Sequence, residues 1–340
     1  MVNRAPIERN LDTLRSVAVL TVFLAHLELA VNHGVRWFWG MDMWTVGRAG
    51  VLMFFVHTSL VLMLSMERMQ HVGSSMVWRF YVRRLFRIYP LSILCCVLLS
   101  VFAIPRNVLG ATFVWNWRLF ASNLLLIQNI TGDKLLTDPL WSLPYEVQMY
   151  LALPLIFLAL RSTRRAFVLA FLSGAAVLGG WRVPLFEFVP CFMAGICAFM
   201  LLRVRRALFP WWCWPAVLLL VLIPYCLYDP SRVTPRKSWT FCVFLSVMVP
   251  FFGDCLSPPI AWVSHMIARY SYGIYLCHYP LMWIFYRRLA TLPGGVRHAL
   301  YAASIVVLPI VCYHFIEAPL IKLGIRISEA GHSETKTTKT

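Results

Sequence analysis

The stretch LDTLRSVAVLTVFLAHLELA, residues 11–30, has the length and apolar composition of a membrane-spanning helix, but it also carries Arg15 and His26. An α-helix turns 100° and rises 1.5 Å per residue, so this spacing of 11 residues places both side chains on one face, about 16 Å apart along the axis. Ionisable groups are costly inside a membrane, and they indicate a polar pathway or a functional site. A structural alternative is equally compatible with this stretch: Arg15 extends to the lipid headgroups, and His26 makes one interhelical hydrogen bond.

The composition of the whole chain is that of an integral membrane protein. Of its 340 residues, 60% are hydrophobic and 13% are charged, whereas about 25% of the residues in a soluble domain are charged. The formal charge of +17 does not indicate nucleic-acid binding, because basic residues in the loops of a membrane protein set its topology and contact anionic lipids. The ten cysteines lie mostly within apolar runs and show no CxxC or zinc-ligand spacing, so we expect neither a metal site nor a disulfide framework.

Apolar windows of about 20 residues predict an all-α, polytopic integral membrane protein with about ten transmembrane helices. The windows lie near residues 12–31, 46–66, 85–104, 141–160, 166–182, 186–202, 211–228, 238–256, 267–286 and 299–318. The stretch LFASNLLLIQNI, residues 119–130, is shorter than a span and predicts a re-entrant or interfacial segment. We expect one membrane domain over residues 1–323 and a disordered cytoplasmic tail over residues 324–340, which ends in a polar run without apolar periodicity.

The distribution of basic residues predicts that both termini are cytoplasmic. With the N-terminus inside, the clusters VRRLFR (82–87), RSTRR (161–165) and RVRR (203–206) all fall on the cytoplasmic side, as the positive-inside rule requires. The segment RVTPRK (232–237) falls outside and opposes the rule, so the seventh and eighth spans are the exception.

Two arginines in the stretch RFYVRRLFRIYPL form the second group of interest. Arg84 and Arg87 are three residues apart, on one face of the predicted third span at its cytoplasmic edge. Guanidinium groups bind phosphates through paired hydrogen bonds, so this pair is a candidate phosphate site. Anchoring at the membrane surface is the alternative, and it is the role that we expect for Arg79 and Arg83.

The stretch DPLWSLPYEVQMYLALP (138–154) begins a span with polar residues. Trp141 suits a membrane interface, Ser142 begins the span, and Glu146 lies inside the membrane boundary. A carboxylate at that depth needs a partner, although a contact with the helix N-terminus would also explain its position.

Two later spans also carry ionisable side chains. Tyr275 and His278 lie on one turn in YSYGIYLCHYPLM, and His314 and Glu317 are three residues apart in HFIEAP. Repeated ionisable groups within spans indicate a functional interior, which serves either the transport of protons or solutes or catalysis by a histidine base.

Six motifs, in this order, resemble the membrane acyltransferase-3 family of bacterial O-acyltransferases, which modify surface polysaccharides and related acceptors. They are LDTLRSVAVLTVFLAH, GVLMFFV, RFYVRRLFRIYPL, LWSLPYEVQMYLALP, YSYGIYLCHYPL and FIEAP, and the resemblance covers about residues 7–323. The chain departs from the family pattern after FFV, where a Ser-Gly pair is usual and His57, Thr58 and Ser59 stand instead.

The resemblance implies an O-acyltransferase of the bacterial cytoplasmic membrane. It would transfer an acyl group, most simply acetyl, from cytosolic acyl-CoA to a hydroxyl of a cell-surface or exported glycan, or of a lipid-linked saccharide. Acyl-CoA is then a donor substrate, no cofactor is bound, and membrane lipid surrounds the chain. The acceptor, the choice among acetyl, succinyl and longer acyl groups, a covalent acyl-enzyme and the oligomeric state stay open at this point.

The resemblance also implies roles for individual residues. His26 matches the catalytic histidine of the family and Arg15 its partner arginine, and a neutral imidazole suits the removal of a proton from a sugar hydroxyl. A carboxylate, Glu146 or Glu317, would orient the imidazole or stabilise its cation. The residues that we assign to the acyl-CoA donor are Arg84, Arg87, Trp141, Ser142, Tyr275 and His278.

A proton-coupled transporter or flippase with an intramembrane His/Glu relay is the alternative from another functional class. It predicts inverted or parallel repeats with broken helices at matching positions, and the sequence shows neither feature. Release of free CoA from acyl-CoA distinguishes the two functions, because only the acyltransferase consumes the thioester.

Overall fold

The computed structural model describes residues 7–32, 40–69, 73–106, 115–204, 208–227 and 234–330, and the regular elements in these ranges are helices joined by short loops. An isolated bridge of extended backbone pairs Phe209 with Phe252. The α-helices are α1 (Ile7–Asn32), α2 (Met43–Glu67), α3 (Ser74–Val101), α4 (Trp117–Leu124), α5 (Gln128–Thr131), α6 (Leu143–Ala159), α7 (Arg165–Arg182), α8 (Val189–Leu202), α9 (Trp214–Cys226), α10 (Pro235–Phe251), α11 (Pro258–Trp283), α12 (Gly294–Cys312) and α13 (Ala318–Ala330).

Six helical stretches in the described ranges are long and apolar enough to cross a membrane. They are Arg9–Asn32, Met43–Glu67, Ser74–Val101, Asp138–Ala159, Pro184–Leu202 and Gly294–Ala330. The other predicted windows coincide with α7, α9, α10 and α11, which are shorter or less apolar. The predicted all-α, polytopic membrane fold is therefore confirmed.

The segment predicted to be re-entrant or interfacial forms two short helices, α4 and α5. They have eight and four residues, far fewer than a span needs. The chain turns between them at Leu126, whose φ is 56°.

The chain forms two compact units, and each is assembled from two segments that are distant in sequence. The first unit contains Met1–Leu64 and Arg164–Ser271, and the second contains Ser65–Thr163 and Tyr272–Thr340.

In the first unit, glycines allow α2 to pack closely against two other helices. A Cβ added at Gly50 would lie 2.7 Å from the carbonyl oxygen of Ala18 and 2.7 Å from Val22 Cγ2, both on α1. A Cβ added at Gly195 of α8 would overlap the Ser59 hydroxyl of α2. Small residues let helix backbones approach each other in membranes, so Ser59 in the departing segment packs against a glycine on the partner helix.

In the second unit, α3 packs against α4, α6 and α13. The approach of α13 is close, because a Cβ added at Gly324 would lie 2.6 Å from Phe86 Cβ. Arg83 Nε also donates to Ser328 Oγ at 3.2 Å. This packing extends α13 to Ala330, so residues 324–330 are helical, whereas the sequence predicted disorder from 324 onward. Residues 331–340 of the predicted tail lie outside the described residues.

Candidate active site

Helix α1 of the first unit carries Arg15 and His26, the two candidate residues of the first motif. It is unbroken from Ile7 to Asn32, so the spacing of 11 residues keeps Arg15 and His26 on one face. Both side chains are partly buried. The His26 ring meets the Trp44 ring edge-on, with 6.1 Å between centroids.

Arg15 is hydrogen-bonded to Ser271, a residue that was not predicted from the sequence as a candidate site residue. Its Nε donates a hydrogen bond to Ser271 Oγ at 2.6 Å, and the Ser271 hydroxyl donates to the Ala268 carbonyl at 2.8 Å. Ser271 is buried. The guanidinium is therefore engaged within the protein, which an arginine extending only to lipid headgroups would not require.

The departure from the family pattern places a second histidine near Arg15. His57 lies on α2 and is 4% exposed. Its imidazole donates a hydrogen bond to the backbone carbonyl of Leu11, and Arg15 is close enough to interact with it electrostatically.

Further polar contacts join the first turns of α1 to α11. Ser16 Oγ donates to the Ser264 carbonyl at 2.6 Å, and Thr13 Oγ1 donates to Ser264 Oγ at 3.3 Å. His265 Nδ1 lies 2.9 Å from Asp12 Oδ2. Hydrogen bonds of this kind hold membrane helices together, and they fix the register of α1 against α11.

In the second unit, Arg87 of the predicted phosphate site forms an ion pair with Glu317 of the last motif. Arg87 Nη1 donates to Glu317 Oε2 at 2.8 Å, and the Glu317 side chain is 1% exposed. The guanidinium also lies over the Tyr272 ring, 5.9 Å from its centroid. Glu317 ends a π-helical turn, Tyr313–Glu317, between α12 and α13. Such turns often occur at functional sites, because the added residue changes the direction of the side chains.

Arg84 and Glu146 lie close enough to interact electrostatically. Arg84 Nε is shielded from solvent and has no hydrogen-bond partner among the described residues. The charges of Glu146 and Arg87 both act on Arg84. The Tyr150 hydroxyl donates to the Glu146 carboxylate from the next turn of α6. The carboxylate at this depth thus has a hydrogen-bond donor, as its position required.

Ser142 and Tyr275, both assigned to the donor, meet in the second unit. The Tyr275 hydroxyl donates to the Pro139 carbonyl at 2.7 Å, so the contact of 2.8 Å with Ser142 Oγ has Ser142 as its donor. Trp141 is partly buried, and its ring lies 6.3 Å from that of Tyr145. These contacts fix the turn that precedes α6.

His278 and His314 differ in burial although each lies in a motif. His278 is 1% exposed, and its Nδ1 donates to the Ile274 carbonyl of its own helix at 3.1 Å. Its ring centroid lies 6.0 Å from that of Tyr275. His314 is exposed, whereas Glu317 of the same turn is buried.

Ser271, Tyr272 and Asp138 were not predicted from the sequence as candidate site residues. Ser271 and Tyr272 lie within the quoted motif YSYGIYLCHYPL, so the motif itself was a signal for them. Asp138 accepts a hydrogen bond from the Tyr279 hydroxyl at 3.1 Å and pairs with Arg106 Nε at 2.7 Å. No sequence motif predicted the pair of Asp138 and Arg106; the sequence indicated only that charged groups inside a membrane protein need partners.

The fold defines a polytopic membrane protein with ionisable groups in its interior, and its class follows from comparison with known proteins. The family model described as an acyltransferase domain matches residues 8–315, so the chain belongs to the acyltransferase-3 family. This membership confirms the resemblance drawn from the six motifs.

The chain is also similar to two groups of curated proteins. Peptidoglycan O-acetyltransferase OatA of Listeria monocytogenes is 26% identical over 377 residues, which cover 93% of this chain and 56% of that protein. Proteins of Staphylococcus aureus strains COL and N315, provisionally named O-acetyltransferases, are each 27% identical over 165 residues, which cover 45% of this chain and 25% of theirs. The chain thus spans about half the length of the Listeria protein. No solved structure matches the chain.

Proposed function

We propose that the protein transfers an acetyl group from cytosolic acetyl-CoA to a hydroxyl group of a cell-wall or exported glycan. The observation that carries this proposal is the placement of Arg15 and His26 on one face of the unbroken helix α1, in a chain of the acyltransferase-3 family. The names of the relatives support acetyl as the transferred group, and the Listeria protein supports a glycan as the acceptor.

In this proposal, His26 acts as the general base. Its neutral imidazole takes the proton of the acceptor hydroxyl while the hydroxyl oxygen attacks the thioester carbonyl. The tetrahedral intermediate then collapses, the C–S bond breaks, and the CoA thiolate leaves and takes the proton from the imidazolium. The products are the acetyl ester and free CoA, so the reaction balances without an oxidant or a metal ion.

We assign Arg15 to a different part of the donor. It lies about 16 Å from His26 along the helix axis, so the two side chains contact different portions of a long molecule such as acetyl-CoA. The guanidinium of Arg15 suits a phosphate of CoA, because guanidinium–phosphate hydrogen bonds are charge-assisted and paired. Within the second unit, Arg84 and Arg87 are candidates for the same chemistry. Glu317 fixes the direction of Arg87, and Glu146 acts on Arg84.

The orientation in the membrane is part of the proposal. Basic clusters favour a cytoplasmic N-terminus in the bacterial inner membrane. Arg15 would then face the side from which the donor arrives, and His26 would lie toward the outer surface, where the glycan is.

The test is acyl transfer by the purified chain in lipid nanodiscs. Protein, acetyl-CoA and a soluble glycan fragment should yield free CoA, detected with a thiol reagent, and the glycan should gain one acetyl group by mass spectrometry. Surface glycans of a strain without the gene should lack the same group. Movement of intact glycan across the membrane, with no CoA released, would instead support the proton-coupled transporter.

A further inference from the structure

The direction of the Arg15 guanidinium is restrained from α11. Ser271 Oγ accepts a hydrogen bond from the Nε–H of Arg15 at 2.6 Å. The same hydroxyl donates a hydrogen bond, at 2.8 Å, to the carbonyl of Ala268, three residues earlier in α11. The hydroxyl hydrogen is therefore committed to α11, and the oxygen is left to accept from Arg15. Ser271 is 1% exposed, so water does not compete readily for this bond.

The backbone that carries Arg15 is restrained from α2. The Leu11 carbonyl lies four residues before Arg15, and in an α-helix it accepts the backbone N–H of Arg15. His57 donates to this same carbonyl. The imidazole thus binds the turn of α1 from which Arg15 projects.

We infer that Ser271 and His57 are positioning residues for Arg15: Ser271 sets the direction of its guanidinium and His57 holds its helical turn. This inference rests on the proposed role of Arg15 in binding the donor. A long arginine side chain loses considerable rotamer freedom when it binds a phosphate, and a preset direction reduces that loss. The histidine that departs from the family pattern therefore has a function in this chain.

Ser264 provides a matched control on the same helix. Its hydroxyl also shares a hydrogen bond with α1, at Thr13, whereas the Nε–H of Arg15 is donated to Ser271. A serine that only joins α1 to α11 should behave like Ser264, whereas a positioning residue should change donor binding.

The experiment compares Ser271→Ala, Ser271→Thr and Ser264→Ala in the full chain in nanodiscs. We expect Ser271→Ala to raise the KM for acetyl-CoA about tenfold or more, as loss of a hydrogen bond to a charged group does, with kcat changed less than about threefold. Ser271→Thr keeps the hydroxyl and should restore the KM. Ser264→Ala should leave the KM for acetyl-CoA unchanged. Equal KM values for the two alanine variants, or an unchanged KM in Ser271→Ala, would overturn the inference.

His57 is tested with two neutral replacements. Gln keeps an N–H donor for the Leu11 carbonyl and should retain a KM near that of the wild type, whereas Leu removes the donor and should raise the KM. Equal values in His57→Gln and His57→Leu would overturn the role of His57.

A thermal measurement separates this inference from the proposed function. If Ser271 acts through Arg15, Ser271→Ala should lower the Tm when it is introduced into the wild type. The same substitution should change the Tm little when it is introduced into the Arg15→Met variant. A wild type that releases no CoA would overturn the proposed function. The Tm values of the two single variants and the double variant would still decide whether Ser271 acts through Arg15. Additive changes in Tm would overturn the positioning role of Ser271.

Discussion

Arg87 Nη1 and Glu317 Oε2 lie 2.8 Å apart, although the two residues are separated by 230 positions in the sequence. The carboxylate is almost fully buried and the arginine side chain is 20% exposed. The pair joins the arginine motif of α3 to the final FIEAP motif within one unit of the fold. Glu317, expected to orient a histidine, is bound to an arginine, so the proposed role of this carboxylate in donor binding would run through Arg87.

Removal of Glu317 should destabilise the protein strongly. Glu317→Ala removes the buried carboxylate and leaves the partly buried guanidinium of Arg87 without it, and we expect the free energy of unfolding to fall by about 3–5 kcal/mol. Glu329→Ala is the matched control, because its pair with Arg83 is longer, at 3.3 Å, and Glu329 is 56% exposed. Loss of such a pair costs at most about 1 kcal/mol. Denaturant unfolding in detergent measures both, and equal losses would show that burial does not distinguish the pairs.

Replacement of His26 should abolish acetyl transfer without preventing membrane insertion. A general base contributes about 100- to 10,000-fold, so the rate of acceptor-dependent CoA release by His26→Ala should fall by that factor. His298→Ala is the control, because His298 is exposed and contacts Tyr286 near the start of α12. Near-normal acetylation by the His26 variant would remove this residue from the mechanism.

The arginines of α3 should differ in their effect on the donor. Arg84→Ala and Arg87→Ala each remove a proposed phosphate contact of about 1.5–3 kcal/mol, which raises the KM for acetyl-CoA roughly tenfold to a hundredfold. Arg79→Ala should change it little. Initial rates over a range of acetyl-CoA concentrations test this, and three equal effects would assign the cluster to membrane anchoring.

Glu146 should matter through its charge. Glu146→Gln keeps the size of the side chain but removes the charge that acts on Arg84, so we expect turnover to fall about tenfold or more. Tyr150→Phe removes the donor to the carboxylate and keeps its charge, and it should reduce turnover less. Steady-state kinetics of the two variants decide the point, and full activity in Glu146→Gln would leave the carboxylate with a structural role alone.

The close approach of α1 and α2 predicts opposite effects for two Gly→Ala changes. At Gly50 the new methyl group would meet the Ala18 carbonyl and Val22, between the turns that carry Arg15 and His26. Overpacking of this kind costs about 1–3 kcal/mol, so both stability and CoA release should fall. At Gly174 of α7 nothing lies within 4 Å of the added Cβ, and the change should stabilise the helix by about 0.5–1 kcal/mol. Thermal unfolding of both variants checks the sign, and a stabilised Gly50→Ala would contradict the packing argument.

Much of the fold could be predicted from local properties of the chain. A bilayer offers no water to the backbone, so a spanning segment must satisfy its hydrogen bonds within its own helix, and hydropathy alone then indicates the helices. Residue spacing along a helix is also a local property, and it correctly predicted that Arg15 and His26 share one face of α1 and that Tyr275 and His278 share one turn of α11. Helix α13 was not predicted, since the last apolar window ended near residue 318; the structure shows it packed closely against α3 at Gly324.

The sequence by itself determined the all-α membrane class, the family and the residues that match its motifs, because each of these depends on short runs of neighbouring residues. Tertiary structure decided which side chains meet. Arg15 pairs with Ser271 across 256 positions, and Arg87 pairs with Glu317 across 230. Helical periodicity fixes the face on which a side chain lies but not the helix that packs against that face. The physical reason is that helices in a membrane choose partners by close packing and by the pairing of buried polar groups, which exist only once the helices have assembled.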